Sequence, residues 1–118
     1  MAFPKNWARS KFGFYWLVGI LEGEGCFFAN KKDHHIRLQL KMCDRDVVSN
    51  VAKLLGARRI YTYKEKKKPH WRRNYTVILD GPQAAAWILQ LLPYMSKRRK
   101  QQMRQALSVY MKREIWAK

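Results

Sequence analysis

The sequence predicts an α+β domain in which helices cover one face of a four-stranded antiparallel sheet, in the order αββαββαα. Two segments, 35–43 and 71–79, alternate apolar with polar side chains, as strands with one buried face do. Apolar residues at helical spacing occur before, between and after the predicted pairs of strands. The 118 residues suffice for one domain with a modest core, and they contain no internal repeat. We therefore expect residues 1–118 to form a single domain.

Local signals place the boundaries of these elements. Asp44 or Asp46 is suited to cap a helix, and Gly56 is suited to end it. Pro82 lies in the first turn of the next helix, where its missing N–H costs nothing, and Pro93 ends that helix. The predicted elements, in chain order, are an irregular arm over 1–10, a helix over 11–24, strands over 26–32 and 35–43, a helix over 44–56, strands over 58–65 and 71–79, and helices over 82–92 and 96–116.

The first predicted helix is apolar on every face, which indicates that it is buried on all sides. A chain of this length cannot easily surround such a helix, but a second copy of the chain can. Gly19 and Gly23 lie four residues apart on one helical face, beside Trp16 and Ile20. Since a glycine inside a helix costs about 1 kcal/mol relative to alanine, two of them indicate close approach of another helix. We expect these four residues to form a homodimer interface about a two-fold axis.

The chain carries 25 Lys and Arg residues against 8 Asp and Glu residues, a net charge of +17. This excess predicts an anionic partner, with nucleic acid as the first candidate and an acidic membrane surface as the second. An apolar content of 47% excludes a basic disordered tail. No segment reaches the roughly 18 consecutive apolar residues of a membrane span. Cys26 and Cys43 fit a reducing compartment, and two thiols do not make a metal framework.

The stretch from Leu17 to Gly25 reads Leu-Val-Gly-Ile-Leu-Glu-Gly-Glu-Gly and resembles the LAGLIDADG motif position by position. It has Val for the first Ala, Glu for both Asp residues and Gly for the second Ala. The order of helices and strands is also that of the LAGLIDADG homing endonucleases, so the resemblance covers nearly the whole chain. With one motif per chain, the sequence resembles the homodimeric members. The resemblance implies an intron-encoded enzyme that makes a metal-dependent, staggered double-strand cut in a long, roughly palindromic DNA target.

The resemblance also implies the residues of a hydrolytic site. Glu24 occupies the position of the metal-binding acid, with the backbone carbonyl of Gly23 beside it, and the metal is Mg²⁺, with Mn²⁺ as a substitute. Mg²⁺ keeps most of its waters, so one or two carboxylates per site suffice. Asp44 matches a polar position near the metal, although a plain helix N-cap is an equally good interpretation. Arg98 matches the position of a lysine near the scissile phosphate, and Lys97 directly precedes it.

The exposed face of the predicted sheet carries cations, amides and aromatic rings. Arg and Lys pair with guanine edges, Asn and Gln pair with adenine, and a two-stranded ribbon fits the major groove. In the family that the chain resembles, such side chains read bases. We therefore predict double-stranded DNA as the partner, with no membrane and no small-molecule ligand. The predicted contact residues are Phe28, Asn30, Lys32, His35, Arg37, Gln39, Lys41, Arg59, Tyr61, Tyr63, Arg72, Asn74 and Thr76.

Other interpretations stay open. The same scaffold without cleavage is a sequence-specific DNA-binding protein or an RNA maturase that assists intron splicing, and either would survive the loss of Glu24. A basic ribosomal or nucleoid protein would show neither sequence preference nor an obligate dimer. A zinc site is disfavoured because His34 and His35 are adjacent and no Cys pair is near them. We expect an intracellular protein, with the bacterial cytoplasm and an organelle equally open.

Overall fold

The structure, a computed structural model, describes residues 11–64, 66 and 72–117, with side chains up to residue 112. The elements in chain order are α1 (Lys11–Glu24), β1 (Gly25–Ala29), β2 (Ile36–Met42), α2 (Arg45–Leu55), β3 (Ile60–Tyr63), β4 (Asn74–Asp80), α3 (Gly81–Leu91), a 3-10 turn (Leu92–Tyr94) and α4 (Lys97–Ala117). This order confirms the predicted one. The predicted arm over 1–10 lies outside the described residues, as do residues 65 and 67–71 of the second predicted hairpin.

The four strands form one antiparallel sheet in the order β1-β2-β4-β3, which confirms the predicted α+β class. β2 and β4 are the central strands, and β1 and β3 are the edges. The register of the β3–β4 ribbon pairs Ile60 with Val77, Tyr61 with Thr76, Thr62 with Tyr75, and Tyr63 with Asn74. Because side chains alternate along a strand, Tyr61 and Tyr63 share one face of this ribbon, and Ile60 and Thr62 share the other.

The described residues divide into two compact units. Residues 11–24 and 40–78 belong to the first unit, which contains α1, α2, β3, the end of β2 and most of β4. Residues 25–39 and 79–117 belong to the second unit, which contains β1, the beginning of β2, the end of β4, α3 and α4. Each unit buries its own set of apolar side chains.

In the first unit, α1 packs against α2, and α2 packs against β3. Leu17 and Leu21 are the large buried residues of α1. The buried stripe of α2 follows the i, i+3, i+4, i+7 spacing and consists of Val48, Val51, Ala52 and Leu55. Asp44 caps this helix, since its Oδ1 accepts the N–H of Val47 at 3.2 Å. Gly56 ends the helix at a φ of 74°, a left-handed conformation that favours glycine.

In the second unit, α4 packs on β1, and α3 packs on α4. Pro82 lies in the first turn of α3, and Pro93 lies in the 3-10 turn that follows, as predicted. The loop between β1 and β2 is fixed to α4 through His34, whose Nδ1 lies 2.9 Å from the carbonyl oxygen of Val109. His34 has a φ of 58°, which is uncommon for a residue other than glycine. No helix in the described part of the chain is both long and apolar enough to cross a membrane.

Three strands are shorter than the sequence predicts. β1 ends at Ala29 because the side chain of Asn30 accepts the N–H of Lys32 at 2.9 Å and closes a turn. β3 begins only at Ile60, since the preceding residues are still leaving α2. β4 starts at Asn74, which is the residue that pairs with the last residue of β3. β2 is close to its predicted range.

Candidate nucleic-acid interface

The side chains of β2 alternate as predicted. Arg37 and Gln39 are partly accessible and Lys41 is exposed, so the strand presents two cations and one amide to its surroundings. The residues between and before them are fully buried, and they are Ile36, Leu38 and Leu40. This orientation is what a strand that reads base edges requires, because only outward side chains can reach them.

In the second unit, Arg37 is held in place from two sides. Its Nε donates a hydrogen bond to Asp80 Oδ1 at 2.7 Å, and its Cζ lies 6.0 Å from the centre of the Phe28 ring. His35 Nε2 lies 3.0 Å from the same oxygen of Asp80. Asp80 therefore joins two predicted DNA contacts, Arg37 and His35, in one hydrogen-bonded network. An arginine held through Nε can still direct its terminal amino groups at O6 and N7 of guanine.

This network lowers the pKa of Asp80. Partial burial by itself opposes ionisation of the carboxyl group and would raise its pKa. The hydrogen bonds from Arg37 and His35, together with the electrostatic attraction of the same two groups, outweigh that effect. The pKa therefore lies below the ordinary value of 3.8. Asp80 is ionised at neutral pH and acts as a fixed anchor for the two side chains.

In the first unit, the β3–β4 ribbon presents aromatic rings beside polar groups. Tyr61 and Tyr63 are 47% and 56% exposed, and they stand opposite Thr76 and Asn74. Arg59 lies just before β3, with its Cζ 5.9 Å from the centre of the Tyr61 ring. The ribbon therefore brings five predicted contact residues onto or next to one face. Flat rings, a guanidinium and an amide are groups that contact bases and sugars.

Two predicted contact residues, Asn30 and Lys32, do not lie on a strand. The prediction that they continue the outward face of β1 is wrong, because the Asn30 side chain closes a turn with the Lys32 N–H. Both residues are exposed in that turn. Arg72 is likewise exposed, but it lies before the first residue of β4.

The residues that the resemblance assigns to catalysis lie at the ends of helices. Glu24 is the last residue of α1, and both it and Gly23 are exposed. Asp44 is the N-cap of α2. Lys97 and Arg98 are exposed in the first turn of α4. Glu24 and Asp44 belong to the first unit, whereas Lys97 and Arg98 belong to the second.

The carboxylate of Glu24 fits one kind of metal site. Among the described residues, no group of three or more His, Cys, Asp or Glu side chains is arranged to hold a metal ion. Mg²⁺ does not need such a group, because it keeps several waters and takes one or two carboxylates together with substrate phosphates. An exposed glutamate at a helix end meets that requirement, since it is accessible to solvent and to a bound phosphodiester.

One face of α1 is partly exposed in the described chain. Phe12 and Tyr15 are 75% and 55% exposed. A Cβ atom added at Gly19 or Gly23 would meet no atom within 4 Å, so packing inside the described chain does not require glycine at either position. The partly or fully exposed residues along this face are Phe12, Tyr15, Trp16, Gly19, Ile20 and Gly23.

The sequence analysis predicted no role for Asp80, the residue directly before α3. The signal was present in the alternation of β4, where residue 80 has the same parity as Asn74 and Thr76. A carboxylate with this parity faces outward, where the outward side chains of Arg37 and His35 can pair with it.

The burial of Arg99, which belongs to a basic run at the start of α4, was not predicted from the sequence. Arg99 is only 7% exposed, its Nη1 donates to Gln102 Oε1 at 3.0 Å, and its Cζ lies 5.8 Å from the centre of the Phe27 ring. Arg99 lies four residues before the fully buried Met103, on the same face of the helix. Helical periodicity was therefore the signal that separates it from the exposed Lys97 and Arg98.

The cap at Asp44 yields a first prediction. We expect Asp44→Ala to lower the free energy of unfolding by about 0.5–2 kcal/mol, because the N–H of Val47 loses its acceptor. Asp44→Asn should retain most of that stability, since an asparagine oxygen accepts the same bond. Urea unfolding of the three proteins measures this difference, and equal stability of the alanine variant would contradict the cap. Cleavage by Asp44→Asn then tests the charge alone.

The Asp80 network yields a second prediction. Because the folded-state pKa is lower than the unfolded one, the paired carboxylate contributes stability above the ordinary value of 3.8, and this contribution is lost as the pH falls through the folded-state pKa. The difference in unfolding free energy between wild type and Asp80→Asn should therefore shrink with acidification below that value. Urea unfolding at a series of pH values measures it.

A matched control for this series is Asp33→Asn, because Asp33 Oδ1 accepts a backbone N–H, that of His35, in the turn before β2. A difference for Asp80→Asn that did not change with pH would contradict the network. On DNA, Asp80→Asn should raise non-specific affinity, because it removes a negative charge, and should relax base preference, because Arg37 loses its anchor.

Comparison with known proteins supports the fold. No family profile and no curated protein matches the sequence. The archaeal intron-encoded homing endonuclease I-Vdi141I, solved in complex with DNA, matches with a TM-score of 0.56 and 16% identity, over 76% of this chain and 62% of that one. The homing endonuclease I-CvuI, solved with uncleaved I-CreI target DNA in the presence of Mg, matches with a TM-score of 0.56 and 19% identity, over 91% of this chain and 68% of that one.

Both of these structures are LAGLIDADG homing endonucleases. The chain spans less than two thirds of the length of the I-Vdi141I structure, at 62%. At these sequence identities the likeness concerns the fold. The chain therefore has the LAGLIDADG homing-endonuclease fold that its motif and its order of elements predict.

Proposed function

We propose that this protein is a site-specific DNA endonuclease that acts as a homodimer and hydrolyses one phosphodiester in each strand of a long, roughly palindromic target. The observation that carries the proposal is the match of the fold to homing endonucleases solved with DNA. The net charge of +17 and the outward cations of the strands support the same partner. The proposal includes an intron as the origin of the coding sequence.

Sequence recognition is assigned to the outward side chains of the two units. In the second unit, Arg37 is fixed by Asp80 and Phe28, so little orientational freedom is lost when it meets a base. In the first unit, Tyr61 and Tyr63 offer exposed rings next to Asn74 and Thr76. If a dimer neutralises on the order of 10 phosphates, the logarithm of the binding constant falls with the logarithm of salt with a slope of roughly −9.

Dimerisation is assigned to the partly exposed face of α1 that contains Gly19 and Gly23. This face exposes two large aromatic side chains next to two glycines that the described chain does not need for its own packing. Small residues spaced by four allow two helix backbones to approach closely, and a two-fold axis through that contact makes the surface self-complementary. A dimer of this kind predicts two equal half-sites in the DNA.

Hydrolysis is assigned to Glu24, Lys97 and Arg98. Glu24 would hold Mg²⁺, and Mg²⁺ when bound supplies an activated water and neutralises charge at the scissile phosphate. Lys97 and Arg98 are exposed cations that stabilise negative charge on the phosphate oxygens. The carbonyl of Gly23, next to Glu24, is a further oxygen ligand in this proposal. Asp44 is assigned to the cap of α2. A further role in orienting water near the metal is tested by cleavage with Asp44→Asn.

A second candidate function is a DNA-binding protein or RNA maturase that does not cleave. It is kept because the motif has Glu at both of its Asp positions and because Arg98 stands where the family that the sequence resembles has a lysine. The two candidates share the fold and the DNA contacts, and they differ in their need for Glu24.

The third prediction concerns cleavage. Wild type should cut a member of a library of palindromic duplexes in Mg²⁺ or Mn²⁺ but not in Ca²⁺, leaving staggered ends. Glu24→Gln should bind the selected duplex with unchanged affinity and lose more than about 100-fold in cleavage rate. Loss of a residue that only hydrogen-bonds to a metal ligand already costs about 10–100-fold, and here the ligand itself is lost. Gel analysis of the cleaved ends and fluorescence anisotropy provide the two measurements.

The matched control is Glu22→Gln, which neutralises the other acid of the same motif. We expect this variant to cleave at a rate close to that of wild type. Tight and sequence-selective binding with no cut by any of the three proteins would exclude the endonuclease and favour the second candidate. Equal cleavage by Glu24→Gln would remove Glu24 from the metal site.

The fourth prediction concerns the dimer. Gly19→Leu should convert the protein to monomer, because a leucine side chain keeps the two helices apart. Sedimentation equilibrium gives the mass, and circular dichroism shows that the chain still folds. Gly19→Ala should stay folded and weaken the dimer less, since alanine favours the helix by about 1 kcal/mol and adds only a methyl group.

The control for the fourth prediction is Ala86→Leu, which places the same side chain at an exposed position of α3. This variant should remain dimeric at the same concentration. A dimer of unchanged strength in Gly19→Leu would show that α1 does not form the interface.

A further inference from the structure

The first unit contains a polar cavity of about 400 Å³ between α2 and the β3–β4 ribbon. It is lined by Arg45 and Ser49 of α2, by Ile60 and Thr62 of β3, by Arg73, which lies just before β4, and by Tyr75 of β4. Nη1 of Arg73 lies 3.5 Å from Oγ1 of Thr62, so this exposed arginine reaches the cavity wall, and Arg45 is exposed at the cavity as well.

This cavity does not belong to the proposed base-reading face. Ile60 and Thr62 alternate with Tyr61 and Tyr63 along β3, so the two pairs lie on opposite faces of the ribbon. The tyrosine face is the one assigned to DNA bases. The cavity lies on the face that α2 packs against. It therefore needs an explanation of its own.

The chemistry of the lining selects an anion. Two guanidinium groups line the cavity, and both carry a positive charge at every physiological pH. Like charges at one cavity repel each other, and no carboxylate is among its described lining residues. The acids that flank Arg45 in the sequence, Asp44 and Asp46, are absent from that lining, and Asp44 caps α2. A lining with two cations and no described carboxylate favours occupation by a negative group.

Among anions, the lining fits a phosphate best. Guanidinium groups bind phosphate oxygens through two parallel hydrogen bonds, and two such groups can take different edges of one phosphate. The hydroxyl groups of Ser49, Thr62 and Tyr75 add three further donors. Arg45 is also the first residue of α2, and the start of a helix favours negative charge. The cavity is large enough for a phosphate that remains attached to a larger molecule.

We propose that the cavity between α2 and the β3–β4 ribbon binds a phosphate group through Arg45 and Arg73. The group is either a backbone phosphate of a nucleic acid or a free phosphate or nucleotide. The site depends neither on cleavage nor on base reading, so it can be tested on protein that is inactive or has no known target. It gives the first unit an anion contact on the face opposite its aromatic rings.

The first arm of the test uses inorganic phosphate alone. The Nε–H signals of Arg45 and Arg73 are followed by NMR during titration of wild type with phosphate, with sodium chloride keeping the ionic strength constant. We expect both signals to shift and to saturate together, and the signal of the exposed Arg58, which does not line the cavity, to stay unchanged. Arg73→Gln should abolish the shift at Arg45, whereas Arg58→Gln, with the same loss of charge, should not.

The second arm uses a non-target DNA duplex and the salt dependence of its binding. If one backbone phosphate occupies the cavity, Arg45→Gln and Arg73→Gln remove the same contact, so the double variant should reduce the slope by about 0.9. A different result would identify a free phosphate or nucleotide as the occupant. In that case the phosphate titration saturates, but the salt slopes of DNA binding for Arg45→Gln, Arg73→Gln and the double variant equal the slope of Arg58→Gln.

Two outcomes would overturn the proposal. One is a double variant whose slope falls by about 1.8, because the arginines would then contact separate phosphates at the surface. The other is the absence of any phosphate-dependent shift at Arg45 and Arg73, combined with equal slopes for all variants. The wild-type titration decides the first arm even if a variant fails to fold.

Discussion

The fully buried side chains of β2 are those of Ile36, Leu38 and Leu40, and the residue that follows each of them is partly or fully accessible. Because β2 is a central strand, a slip of one residue would place Arg37, Gln39 and Lys41 in the interior and expose three aliphatic side chains. Burying charges without partners is far more costly than burying leucine, so the register has a single solution. The accessible cations and the buried core are therefore two consequences of one alternation, and the surface that we propose for DNA follows from the way the chain folds.

Three of the eight acids in this basic chain serve local structure. Asp44 caps α2, Asp33 accepts a backbone N–H in the turn before β2, and Asp80 joins Arg37 to His35. A net charge of +17 opposes compaction through self-repulsion. Acids placed at caps, turns and outward arginines reduce this repulsion locally and leave most of the cations for an external anion. Asp80 differs from the other two, because it also determines how a cation is presented.

The parts of the fold that obey periodicity could be predicted, and the parts decided by single side chains could not. Period-two alternation predicts β2, and Asp44 and Gly56 predict the ends of α2. The end of β1 could not be predicted, because it depends on one side chain. The Asn30 side chain accepts the N–H of Lys32 and closes a turn where the sequence predicts a strand. The ring that Arg99 contacts, Phe27 of β1, could not be predicted either, because it belongs to a distant part of the sequence. The cavity beside α2 likewise requires side chains of three elements to meet.

The proposed dimer connects the exposed face of α1 with the carboxylate at the end of the same helix. α1 exposes Phe12 and Tyr15 beside two glycines that packing inside the described chain does not require. Glu24 is the last residue of this helix, and it is exposed. A two-fold axis along the glycine face would cover the aromatic rings and bring two copies of Glu24 to the same end of the interface. Packing and catalysis would then depend on the same helix contact.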